Sequence, residues 1–180
     1  MIVAVGGKSN KVGKTLFCKY LFGFLGKSKW QYLSTSEALV QELSLKLKIS
    51  VSEIKKNKDR YRPHLIDLTK GNPTHAVMSA LLDWDQGKHL LIESVRRREE
   101  FGFFERDKNT IFIYVTCPDA VLLQRGSVLN DLNEVDDLFM PYGEPARNVY
   151  LVNNNGSQDA LKRRAKELAE MILSLAEAKA

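Results

Sequence analysis

Short apolar runs recur along this chain, each closed by glycine, serine or charge, and between them apolar positions return at helical spacing. Ile2 to Val5, closed by Gly6 and Gly7, has the unbroken hydrophobicity of a strand covered on both faces. Trp30 to Leu33, His89 to Ile92, Ile111 to Val115 and Val149 to Val152 repeat that pattern. From Thr15 to Leu25 the apolar residues Leu16, Phe17, Tyr20, Leu21 and Phe24 predict a helix ended by Gly26. Ser34, Thr35 and Ser36 offer N-caps to a helix carrying Leu39, Leu43, Leu45 and Leu47. Lys48 to Pro63 reads as a turn and a short basic helix stopped by proline, and Thr74 to Trp84 as an amphipathic helix. Arg98 to Phe104 and Pro118 to Gln124 add two more, and Ser157 caps a long last helix. Gly126 to Asn148 is polar and acidic and reads as an exposed excursion. Strands alternating with helices predict an α/β fold: a parallel sheet flanked by helices in three layers, one domain over 1–180.

Composition narrows the class. A chain of 180 residues, 44% hydrophobic, can bury one core, and no apolar run approaches the ~20 residues that cross a bilayer. The start Met-Ile-Val-Ala-Val lacks the features of a secretory signal. The expected setting is cytoplasmic (the host cytoplasm for a phage-encoded chain). Cys18 and Cys117 have no metal-ligand spacing and read as small core residues. The net charge of +5 asks for an anionic partner. The basic residues cluster at Lys8 to Lys14, Lys55 to Arg62, Arg96 to Arg98 and Lys162 to Lys166. The last cluster shares a helix with glutamates and reads as a solvated face. The first three fall at loop or element ends, which favours nucleotide phosphates over a nucleic-acid polymer.

Between the first strand and the first helix stands Gly7-Lys8-Ser9-Asn10-Lys11-Val12-Gly13-Lys14-Thr15. A glycine loop in that context turns its backbone N–H groups toward a phosphate, and the helix N-terminus adds to the attraction. Lys14 can reach the β- and γ-phosphates of ATP or GTP as a mobile charge, and the Thr15 hydroxyl is placed to ligate Mg2+. The usual loop has four residues between its first glycine and Gly-Lys-Thr; Gly7 to Gly13 leaves five. We take Gly7 as the anchor of a longer loop, because the strict spacing puts Lys8 where a left-handed glycine is expected.

A second cluster, Glu93-Ser94-Val95-Arg96-Arg97-Arg98-Glu99-Glu100, follows a buried strand. Ligands of open parallel sheets sit at the carboxyl ends of strands, so these residues face the same crevice as the loop. The planar fork of Arg96 suits a phosphate, and Glu93 can hold magnesium through water or accept a proton. Arg97 and Arg98 read as an exposed helix start that Glu99 and Glu100 favour electrostatically.

In its motifs the chain resembles the phage-type deoxynucleoside monophosphate kinases, within the adenylate-kinase-like P-loop kinases. The resemblance rests on the Gly7 to Thr15 loop, on Glu37-Ala38-Leu39-Val40-Gln41-Glu42-Leu43, and on Lys58-Asp59-Arg60-Tyr61-Arg62-Pro63. Ser94-Val95-Arg96 ending in Glu100, and Val152-Asn153-Asn154-Asn155-Gly156, complete it. It implies ATP- and Mg2+-dependent phosphoryl transfer to a (deoxy)nucleoside monophosphate, a helical acceptor-binding insert at 34–84, and a lid or excursion at 125–148. It implies a nucleotide site made of Gly7, Lys8, Ser9, Asn10, Lys11, Val12, Gly13, Lys14, Thr15 and Asn154. Ser36, Arg60, Arg62, His75, Glu93, Arg96 and Glu100 would hold the acceptor, with Lys14, Arg96 and a closing Arg125 serving the transfer. Tyr61 or Trp84 can stack on a base, and core packing is at least as good a reading of both. Where the family motif reads Asp-Val-Arg this chain has Ser94, with Glu93 one residue earlier. On a regular strand that shift points to the other face. The acidic run 131–137 matches no calcium loop and reads as a solvated lid surface.

Two other readings stay open. The long gap before Val-Gly-Lys-Thr also resembles dethiobiotin synthetase, and Lys8 echoes the signature lysine of MinD-like ATPases. Either would bring a second carboxylate motif after the first crossover, which we do not find in the sequence. The third reading is a non-catalytic nucleotide-binding module whose ligand controls a partner surface. The expected partner is a small nucleoside monophosphate, not a membrane or a nucleic acid, and a homodimer is compatible with the sequence.

Overall fold

The computed structural model describes residues 1–7, 11–107, 109–126 and 148–178. Alternation in β1 (Ile2–Gly7) sets the architecture. Val3 and Val5 face one core, while Ile2 and Ala4 face another on the opposite side. Because both faces are covered, the strand reads as a continuous apolar run. β2 (Trp30–Ser34), β3 (His89–Val95), β4 (Thr110–Thr116) and β5 (Val149–Asn153) join it in a parallel sheet of order β2-β3-β1-β4-β5.

On the first face α1 (Lys14–Leu25) and the last helix, α8 (Gln158–Glu177), pack Phe17, Leu21, Leu161, Leu168 and Ile172 onto the sheet. Ser157 caps α8 by accepting from the Ala160 N–H. On the other face lie α5 (His75–Leu81) and α6 (Arg98–Glu105), which contribute Val77, Ala80, Phe101 and Phe104. α7 (Asp119–Gln124) follows β4 and buries Leu122 against the α1 side. Among the described residues no helix is long and apolar enough to cross a membrane. The excursion and lid expected at 125–148, and the acidic run within it, lie outside the described residues beyond Gly126.

Between β2 and β3 stand α2 (Thr35–Leu47), α3 (Val51–Lys56), α4 (Lys58–Leu68) and α5. Pro63 does not stop the basic helix as expected; it sits inside α4. Proline in a helix interior costs about 3 kcal/mol. Tyr61, Leu65 and Leu68, spaced to one face, repay it by packing on Val40, Leu43 and Ile54. That small cluster belongs to the insert alone. Tyr61 is part of it, and Trp84 packs against the sheet with its indole N–H donated to the Lys88 carbonyl. Both aromatics are committed to packing. α5 ends at Leu81, short of Trp84.

Candidate phosphate-binding site

The sheet delivers Gly7 to its carboxyl edge beside β4. A Cβ on Gly7 would lie 2.6 Å from the Val115 carbonyl oxygen and 3.0 Å from the Lys14 stem. Only glycine lets the lysine chain cross the strand there, which fits Gly7 as the loop's anchor. Lys8, Ser9 and Asn10 lie outside the described residues. The loop then turns through two left-handed residues, Lys11 (φ 64°) and Gly13 (φ 98°), around a fully buried Val12. A side chain on Gly13 would collide with the Asn154 amide, which sits directly beneath the loop.

Asn154 fastens this turn from the far end of the sheet. Its Nδ2 donates to the Val12 carbonyl at 2.8 Å, and its backbone N–H donates to Thr116 O at 2.7 Å. A second tie comes from the end of α7: Lys11 Nζ donates to Gly126 O at 2.6 Å, and Arg125 donates to the Asn154 carbonyl at 3.1 Å and to that of Lys11 at 3.4 Å. Asn154 thus meets the loop's backbone, and the Arg125 guanidinium lies against it. Asn154→Ala is expected to lower nucleotide affinity roughly tenfold with a loss of about 1–2 kcal/mol of stability, since it orphans a buried carbonyl. Nucleotide titration and a thermal melt check both.

Lys14, the first residue of α1, is buried with its side chain in the cavity in front of the loop. Burial, then the nearby Arg96, push its pKa down to about 7, against an opposing pull from Glu93. The next residue, Thr15, donates from Oγ1 to Glu93 Oε1 at 3.4 Å, and Ser34 donates to the same oxygen at 3.1 Å. The other oxygen, Oε2, is buried with no hydrogen-bond partner among the described residues.

Glu93 reaches Thr15 by the ordinary alternation that places it on the face of Leu91, and a bulge in β3 follows it. Val5 pairs with Glu93 and Gly6 with Val95, so Ser94, with φ 70°, is the extra residue. Leu91 and Glu93 share the α1 face, while Ile92 and Val95 share the other. The carboxylate one residue before the family's aspartate position therefore points at the phosphate loop.

Arg96 follows the bulge. Its backbone N–H and that of Arg97 both donate to Glu100 Oε2, at 2.6 and 3.0 Å. Glu100 is buried, and burial raises its pKa although these two bonds hold it down. Its carboxylate serves the turn that presents Arg96. Arg97 is not an idle surface charge: its guanidinium donates to the Thr69 hydroxyl at 2.8 Å, tying the start of α6 to the end of α4.

These elements close around a cavity of about 340 Å3, lined among others by Lys11, Lys14, Thr15, Ser36, Lys58, Glu93 and Arg96. Arg62 is half-buried nearby, close enough to lower the Lys58 pKa. Four of the expected acceptor residues, Arg60, Arg62, His75 and Glu100, are not among those that line it. Arg60 is exposed and sits 5.7 Å over the Tyr61 ring, because the helix turns it onto the outer face of α4. His75 is held by Glu42 at 2.8 Å, and Ser79 donates to the same carboxylate, so this trio joins α5 to α2. Sequence reasoning missed Lys58, Ser34 and Glu37 as lining residues. Ser34 carried a usable signal, since it ends a strand at the sheet's carboxyl edge.

No protein-family model matches the chain, and no curated protein matches it. Among solved structures it is similar to a shikimate kinase from Acinetobacter baumannii in complex with shikimate. That match has a TM-score of 0.51 and 20% identity, and covers 99% of this chain and 93% of the other. A sugar kinase from a Janibacter species matches with a TM-score of 0.48 and 15% identity, covering 91% of each chain. The five-stranded parallel sheet β2-β3-β1-β4-β5 with helices on both faces is the shikimate-kinase-like P-loop kinase fold.

Proposed function

We propose that this chain transfers a phosphoryl group from ATP to a small phosphorylated acceptor, a (deoxy)nucleoside monophosphate. The observation that carries the reading is the meeting of Lys14 and Arg96 in one cavity, from the phosphate loop and from the end of β3. One cationic loop suffices for a triphosphate; a guanidinium beyond it asks for a second anion. The insert at 34–84 is then the acceptor lobe, and Arg125, at the rim of the loop, closes the donor side.

An acceptor phosphate oxygen attacks the γ-phosphorus in line. The bond from that phosphorus to the β–γ bridging oxygen breaks, and ADP departs with the electron pair. The attacking oxygen is already anionic and needs no base. Lys14 neutralises charge on the transferring group, while Arg96, fixed through Glu100, holds the acceptor in line. Thr15 and Glu93 fit Mg2+: they offer hard oxygen donors, and one carboxylate oxygen has no hydrogen-bond partner among the described residues. The ion would supply charge neutralisation at the β- and γ-oxygens.

That same orphaned oxygen favours one other acceptor, a hydroxyl, whose proton would need a carboxylate to receive it. One assay separates the readings. ADP release should be slow with ATP alone and rise steeply with one member of a complete panel of ribo- and deoxynucleoside monophosphates. Acceleration by a sugar or hydroxy acid alone would favour the hydroxyl reading. No acceleration by anything, with tight ATP binding, would leave a nucleotide-controlled binding module.

A further inference from the structure

We infer that Lys58, together with Ser36 and Arg96, forms a distinct anion subsite on the insert side of the cavity, built for a dianionic phosphate monoester. The assignment of that anion to the acceptor rests on the kinase reading; the subsite itself does not.

The basic stretch 55–62 looks uniform in sequence, but its members have different fates. Lys55 pairs with Glu37 at 2.6 Å, and Arg60 lies over the Tyr61 ring. Lys58 instead turns into the cavity, where its ammonium donates to the neutral Ser36 hydroxyl at 3.0 Å. It stands at the first position of α4, and the helix periodicity puts it on the opposite face from Arg60, where it borders the cavity while staying exposed.

Electrostatics point the same way. The cavity wall carries Lys11, Lys14, Lys58 and Arg96 against the carboxylates of Glu37 and Glu93. Glu37 is engaged outside by Lys55, and Glu93 by Thr15 and Ser34. Burial, then Arg96 and Arg62, lower the Lys58 pKa against an opposing pull from Glu93 and Glu37, so the cations outweigh the carboxylates there. An anion between them removes the repulsion. An ammonium, a hydroxyl and a planar guanidinium supply donors for three oxygens of one phosphate. Lys58 belongs to the insert and Arg96 to the sheet edge, so one anion would bridge the two parts of the chain.

The test uses the full chain with its donor side filled by ADP and Mg2+. Inorganic phosphate should then raise the melting temperature of the wild type and of Lys56→Ala, a variant of an exposed neighbour, but not of Lys58→Ala. Lys58→Arg should regain part of the shift. In turnover, Lys58→Ala should raise KM for the accepted monophosphate roughly ten- to a hundredfold with KM for ATP unchanged. Phosphate stabilisation that depends on Lys58, with no monophosphate turned over, would keep the subsite and overturn the acceptor assignment. Turnover of a monophosphate with an unchanged KM in Lys58→Ala would overturn the subsite and keep the kinase reading.

Discussion

Lys14→Ala should lose turnover on the order of a thousandfold or more while the protein stays folded. The two halves of that expectation come from different properties of one side chain. In the proposed reaction its ammonium neutralises charge on the transferring phosphoryl group. Yet burial and Arg96 already disfavour its charged form in the free protein. Truncation therefore removes an electrostatic cost along with the packing of the stem over Gly7. The melting temperature without nucleotide should stay within a few degrees of the wild type's. Steady-state kinetics beside a circular-dichroism melt check both statements. Near-normal turnover in a folded Lys14→Ala protein would remove the phosphate-loop reading.

The second large effect is expected at Glu93. Glu93→Gln keeps an acceptor for the Thr15 and Ser34 hydroxyls but removes the buried negative charge. Turnover should fall on the order of a hundredfold, and the Mg2+ concentration for half-maximal activity should rise. The nucleotide-free protein should be as stable as the wild type or more so, because a carboxylate with an unpartnered buried oxygen opposes folding. Turnover that drops with no change in Mg2+ dependence would move Glu93 from metal ligand to proton acceptor. Unchanged turnover and unchanged Mg2+ dependence would exclude it from both roles.

Most of the sheet was legible because a strand covered on both faces must be apolar throughout; Leu90 to Ile92 and Ile111 to Val115 announce themselves. The strand ends were not. β3 continues past Ile92 because Glu93 and Val95 still pair with β1, and pairing is indifferent to side-chain polarity. The bulge at Ser94 has no residue signature, since serine is not a residue that signals a left-handed backbone. For that reason the face of Glu93 relative to Arg96 could not be read from their spacing. Gly7, Gly13, Lys14 and Thr15 stood out because a glycine loop ending in Gly-Lys-Thr falls between a strand and a helix. The insert was harder. Five basic residues in eight positions, Lys55 to Arg62, look equivalent until the helix axis is known, and Pro63 argued for ending the helix that fixes their directions. His75 looked available because its partner, Glu42, lies on another helix.

The central place of β1 also governs how the chain is assembled. The strand Ile2–Gly7 finds its neighbours in residues 90–95 and 110–115. During synthesis it must wait for residues 90–95 before either of these ladders can form. The helices between β2 and β3 face no such delay, since Val40, Leu43, Ile54 and Tyr61 cluster within a short span of sequence. Contacts of such long sequence separation carry the largest loop-closure cost, so they form late and limit the folding rate. The glycine loop that follows β1 depends on those late contacts and takes shape with them. Nucleotide should therefore slow unfolding far more than it speeds folding.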